Sequence, residues 1–272
     1  MNENMTKSPK EEALERAILK RLAGGPLFDT ARLALCDEEI HAYQEYGNAV
    51  SIKRLAYNDH GPVHMRTVVL NAFTVAGLLD RAGVPLSLAR EEGGSYEDSL
   101  TALFFAGMLH DIGMSVTRMG HEEYSVTLAL PILNRFLELR YPGDIRRQVT
   151  VRALTCECIC GHMGLVRIFS LEAGIILIAD GADMAKGRAR IPMMIATDAK
   201  VGDIHKYSSS AIEKIEIRAG VEKPVKISIT MSSSVGFFQV EEVLFPKLNM
   251  SPVKPYIELE AGVIDEPMKK YL

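Results

Sequence analysis

The sequence predicts a mainly α protein: a helical bundle that carries a small α+β region, in β-β-α-β order, at its C-terminal end. Three observations predict it. Up to about residue 195 the apolar residues recur at three- and four-residue spacing, with no alternating stretch of any length. Near residue 208 the texture changes, and AIEKIEIRAG and PVKISITMS alternate apolar with polar side chains as strands do. The 272 residues, 47% of them hydrophobic, suffice for one large core or for a core with a small satellite. The expected organisation is a polar, disordered terminus over 1–8, a helical domain over 9–198 and an α+β domain over 199–272.

The elements follow in order. EEALERAILKRLA puts Leu14, Ala17, Ile18 and Leu22 on one face, and Gly24, Gly25 and Pro26 stop it. A second amphipathic segment covers Thr30 to Tyr46. NDHGP opens the next helix, because Pro62 suits a first turn. Apolar residues at 63, 68, 69, 72, 75, 76, 79 and 82 make that helix long and mostly buried, until Gly83 and Pro85. Glu91 to Glu97 is a polar loop. SLTALFFAGMLHDIG and HEEYSVTLALPILNRFLELR are helices, the second with a kink or break at Pro131. Asp144 to Cys160 and LEAGIILIADGADMAKGR complete the helical part. Beyond the first two strands, GFFQVEEVLFPKLNMS is helix-like and PYIELEAGVI alternates again.

Composition narrows the function. With 35 acidic and 31 basic residues the net charge is −4, which leaves no footprint for non-specific binding to nucleic acid or to an anionic membrane. MNENMTKSPKEE lacks the apolar centre of a signal peptide, and no apolar run approaches the roughly 18–20 residues of a membrane span. A cytoplasmic protein is expected. Cys36 stands alone, and Cys156, Cys158 and Cys160 do not have C-x2-C spacing, so the thiols read as reduced, small apolar residues.

The chemistry lies in the histidines and two aspartates. Five of the seven histidines fall between His60 and His162. Asp111 directly follows LFFAGMLH, and Asp180 directly follows GIILIA. A carboxylate at the end of an apolar run is costly to bury unless it is paired or holds a metal. Taken singly, each histidine is most often a hydrogen-bonded core or surface residue. Taken together, His64, His110-Asp111 and Asp180 sit on different helices, and a bundle can project such residues inward around an ion. Imidazole with carboxylate suits iron, manganese or another borderline divalent cation.

In order, His64, His110-Asp111 within AGMLHDIG, His121, His162 and Asp180 resemble the HD-domain metal-dependent phosphohydrolase superfamily over roughly residues 55–195. NDHGPVHMRTVV looks like its first-histidine helix, GHEEYSVTLALPIL like the following histidine helix, and ADGADMAKGRARIP like its closing aspartate helix. The resemblance implies the HD-domain helical bundle and one or two divalent ions (manganese, iron, magnesium, nickel or cobalt). His64, His110, Asp111 and Asp180 would hold the first, and His121 and His162 the second, with Asp111 as the bridge. It implies hydrolysis of a phosphomonoester or phosphodiester, of a nucleotide or small metabolite, by metal-activated water. Asp111 and His121 would serve that chemistry directly. His60 would protonate the leaving oxygen or hold a phosphate oxygen. Arg66, Lys186, Arg188 and Arg190 are the expected phosphate clamps, with Asp183 as a substrate contact or a partner of a ligand.

Two positions depart from the family's pattern. Pro62 separates His60 from His64, which puts His60 at the helix start rather than among the ligands. Met114 stands where many members carry a lysine after HDIG. Two other classes of function remain open on the sequence: a catalytically silent nucleotide- or metal-binding regulator, and an HD-type oxygenase. KISITM, read as an exposed strand, would accept pairing across a homodimer interface.

Overall fold

A computed structural model describes residues 7–55, 57–91, 93–184 and 204–272. The first helix, α1 (Pro9–Leu22), begins at Ser8, whose hydroxyl accepts a hydrogen bond from Glu11 N, with Pro9 in the first turn. Lys7 is also engaged, donating to Glu15 at 2.8 Å and to the Leu35 carbonyl at 2.7 Å. The disordered terminus expected over 1–8 is therefore corrected at Lys7 and Ser8, which cap and tether the helix.

The segment expected as one helix from Thr30 to Tyr46 is two, α2 (Phe28–Leu35) and α3 (Glu38–Ala49). The break has a local cause, because the Asp37 carboxylate accepts from Ile40 N and starts a new helix. Then come α4 (Pro62–Arg81), the short α5 (Ser87–Glu91) and α6 (Tyr96–Leu109). Ser95 and Asp98 form a reciprocal capping box at the start of α6. The last helices before residue 184 are α7 (His121–Arg140), α8 (Ile145–Gly161) and α9 (Leu171–Gly181). Pro131 does not break α7. Pro131 and Thr127 are both exposed, so the carbonyl that loses its N–H partner four residues back can be hydrated instead.

Almost every residue of α6 and all of α9 are buried. They form the centre of the bundle, with α4 and α8 packed against them. The mainly α fold with a small C-terminal sheet is what the sequence predicts. From residue 204 the order is α10 (Ile204–Ser210), β1 (Ile212–Ala219), β2 (Val225–Met231), α11 (Phe245–Met250), β3 (Ile257–Val263) and a two-residue β4 (Lys269–Lys270). The sheet runs β1-β2-β3-β4, antiparallel except for β2 with β3. The parallel pair needs a crossover, and the helical run ending in α11 supplies it. KISITM lies in β2, paired on both sides, so it offers no edge to a second copy; the expected exposed strand is corrected.

One hydrophobic core runs through both regions. The expected boundary at 198/199 lies outside the described residues. The α+β region docks on α9 at Gly174, where a Cβ would come within 2.7 Å of Ser251 Oγ. Ser251 donates to the Gly174 carbonyl at 3.1 Å. Among the described residues one helix, α4, has the length and apolarity to cross a membrane, yet most of it is packed inside the protein.

Candidate metal centre

The ends of the core helices converge on one buried cluster. His110 is the C-cap of α6 and His162 the C-cap of α8. Each imidazole turns back on its own helix: His110 Nδ1 donates to Gly107 O at 3.0 Å, and His162 Nδ1 to Ile159 O at 2.6 Å. Both carbonyls lie in the last turn of their helices, where intrahelical partners run out; Ile159 O also accepts from His162 N at 3.4 Å. His121, first residue of α7, donates from Nδ1 to Arg118 O at 3.0 Å. His64, in the first turn of α4, donates from Nδ1 to Asp183 Oδ2 at 2.7 Å. A carbonyl or carboxylate only accepts, so in their neutral form all four rings carry their proton on Nδ1 and present a lone pair at Nε2.

Those lone pairs face each other in two couples. His64 Nε2 lies 3.2 Å from His110 Nε2, and His121 Nε2 lies 3.0 Å from His162 Nε2. Asp111 stands between the couples. Its Oδ2 is 3.4 Å from His64 and 3.3 Å from His110; its Oδ1 is 3.0 Å from His121 and 3.4 Å from His162. Asp180 Oδ1 joins the first couple, 3.2 Å from His64 Nε2. His64, His110 and Asp111, and again Asp111, His121 and His162, are so placed that each trio could hold a metal ion. The donor chemistry fits a cation: in the neutral rings buried acceptors are converged on one another, which is unfavourable unless positive charge separates them.

Electrostatics agree. Burial alone would raise the Asp111 pKa, but His110 and His60, and with them His121, in their protonated forms hold it well below the usual carboxylate range. Burial likewise works against an ionised Asp180, and Lys247 and His64 overcome it, so its pKa also falls well below normal. Burial keeps His162 below the ordinary histidine value. At His121 burial pulls the same way, but Asp111 outweighs it and the pKa rises.

Local sequence explains the convergence. In HDIG, Gly113 lies in a 3-10 turn (Ile112–Ser115) pressed on the start of α7, where a Cβ would meet His121 O at 2.0 Å. Gly113 N donates to Ser125 Oγ at 2.8 Å, which fixes the turn against α7. Only glycine allows the Asp111 and His121 segments to approach so closely.

The remaining predicted site residues divide. His60 precedes α4, with its ring centroid 5.9 Å from that of His64 and Nδ1 2.6 Å from Asn58 O. Asp183, expected among the substrate contacts, has its carboxylate on His64 Nδ1. Arg66 is corrected: it is 1% exposed and points away from the cluster, into Glu11, Glu15 and Gln44. Two residues along a helix turn the side chain by about 200°, which sends Arg66 to the face opposite His64. Lys186, Arg188 and Arg190 lie outside the described residues. Cys158 is buried and Cys156 and Cys160 are half-buried, all three free thiols and none in either donor trio.

The sequence reading missed Lys247 of α11. Its ammonium bonds Asp180 Oδ2 and donates to the His162 carbonyl at 2.9 Å. The only signal is a lysine between buried Leu244 and Leu248, which by itself reads as a solvated turn.

No known family model matches the chain, and no solved structure matches it. A protein of Methanocaldococcus jannaschii, itself uncharacterized, is 37% identical over 230 residues, spanning 85% of this chain and 86% of its own length. By that similarity the chain belongs to the same family as this archaeal protein.

Proposed function

We propose that the chain is a metal-dependent phosphohydrolase of the HD type, acting on a phosphomonoester or phosphodiester of a nucleotide or similar small metabolite. The observation that carries this reading is Asp111, a single carboxylate shared by two couples of imidazoles whose Nε2 atoms face each other. His64, His110, Asp111 and Asp180 would hold one divalent ion, and His121, His162 and Asp111 a second. Such ions supply activated water near neutral pH and polarise a phosphoryl oxygen.

The chain's own residues do the rest. Asp183 and the Gly107, Arg118 and Ile159 carbonyls lock the four imidazoles in one tautomer, so the donors need no reorganisation when charge develops. The Asn58 carbonyl holds the proton of His60 on Nδ1, which directs its Nε2 to proton exchange with a leaving oxygen. Ser51 also donates to Asn58 O, at 2.9 Å, and so fixes the loop that carries His60.

The test is Asp111→Asn. Protein purified without chelator is expected to carry up to two divalent ions per chain by elemental mass spectrometry and to hydrolyse model phosphoesters with added manganese. Asp111→Asn should lose both ions and all measurable hydrolysis while keeping its helical circular dichroism. A variant with wild-type metal content and turnover would overturn the reading.

A further inference from the structure

The strongest feature outside the predicted ligand set is Lys247. It reaches the cluster from the α+β region, not from the bundle. Its stem lies across Gly181, where an added Cβ would come within 3.1 Å of Lys247 Cδ and 3.2 Å of Leu244 Cδ1. Gly174 and Gly181 are seven residues apart, two turns of α9, so both face the α+β region. One glycine admits Ser251 and the other admits the lysine stem. The ammonium is then held by two acceptors, Asp180 Oδ2 and His162 O, one beside each donor trio. An ammonium has three N–H groups. Among the described residues the third has no partner, and the side chain keeps 12% exposure beside the cluster.

We propose that Lys247 binds a phosphoryl oxygen of the substrate. This rests on the phosphohydrolase reading and deepens it. Met114 occupies the position after HDIG where the resembled family often has lysine, and Met114 is buried. The cation comes instead from a segment 67 residues beyond Asp180. A fixed ammonium with one N–H uncommitted among the described residues matches an anionic tetrahedral group, because charge-assisted hydrogen bonds to phosphate oxygens are strong and short. The α+β region is thereby part of the binding site and not an independent module.

The experiment titrates inorganic phosphate into the full-length, manganese-loaded protein by calorimetry, with manganese content measured on the same samples. Lys247→Met is expected to weaken phosphate binding by roughly ten- to a hundredfold with manganese content unchanged. Lys247→Arg should stay within a few-fold of wild type, since the charge is kept. Gly181→Ala, which pushes the lysine stem aside, should weaken phosphate binding in the same direction as Lys247→Met. Unchanged phosphate affinity in Lys247→Met overturns the proposal, and so does a loss of manganese in that variant, which would make Lys247 only a partner of Asp180. Wild-type protein that holds manganese but binds no phosphate overturns the phosphohydrolase reading, and the proposal with it.

Discussion

Two buried polar clusters flank α4, and they are built on opposite principles. On one side Arg66 meets Glu15 at 2.8 Å, Gln44 Oε1 at 2.8 Å, Pro62 O at 3.0 Å and Glu11 at 3.0 Å. Lys7 adds a second cation on Glu15, and Gln44 passes its own N–H to Met108 O. Opposite charges alternate there, with Glu11 Oε1 and His41 Nε2 left without hydrogen bonds among the described residues, and the cluster ties α1, α3 and α4 together. On the other side His64, His110, His121, His162, Asp111 and Asp180 bring acceptor against acceptor. A buried network that answers its own charges is structure; one that leaves lone pairs converged asks for something from solution.

That contrast can be broken most forcefully at Arg66. Arg66→Met leaves the buried Glu11 without its guanidinium and should cost about 3–5 kcal/mol in denaturant unfolding. His121→Gln, measured on metal-free protein, should change stability by less than about 1 kcal/mol, because it separates two facing lone pairs. Equal losses at the two sites would erase the distinction between them.

A smaller effect sharpens it from the metal side. Asp183 holds the centre through His64 Nδ1. Asp183→Asn should lower manganese affinity by roughly 10–100-fold in a calorimetric titration while Asp183→Glu keeps most of it. Affinity equal to wild type in the Asn variant would show that His64 needs no orienting carboxylate.

The smallest expected effect is a pH dependence. Asp98 belongs with the self-satisfied class: burial would raise its pKa, but hydrogen bonds from Tyr141, Arg147 and Ser95 bring it below the ordinary carboxylate value. A depressed carboxylate pKa gives stability that is full above the unfolded value, near 3.9, and is lost as pH falls through the lower folded value. Asp98→Asn should therefore cost roughly 1–2 kcal/mol at pH 7, and the gap to wild type should close in strong acid. A gap that stays constant from pH 7 to pH 2 would assign the loss to packing.

Much of this arrangement is legible in the sequence. Asp111 and Asp180 stand out as carboxylates that end nearly unbroken apolar runs, and the histidines near them gather because α6, α8 and α9 all end at one place. The helices and the change to strands near residue 208 follow from periodicity. What periodicity does not carry is direction and distance. Arg66 lies two residues from His64 and reads as a neighbour, although helical rotation puts it on the other face. Asp37 divides a segment that amphipathicity treats as continuous, because a capping carboxylate outweighs the apolar pattern. Lys247 meets Asp180 only through the crossover between β2 and β3, a long-range contact with no local signature.

The distance in sequence between Asp180 and Lys247 also sets a timetable. During synthesis all the histidine and aspartate side chains of the cluster emerge before the lysine, 67 residues beyond Asp180. On the proposed reading, a nascent chain can take up its ions while the lysine that would bind the anion is still missing. Filling the proposed centre and completing its proposed anion position would then be separate events, the second waiting for the α+β region to dock.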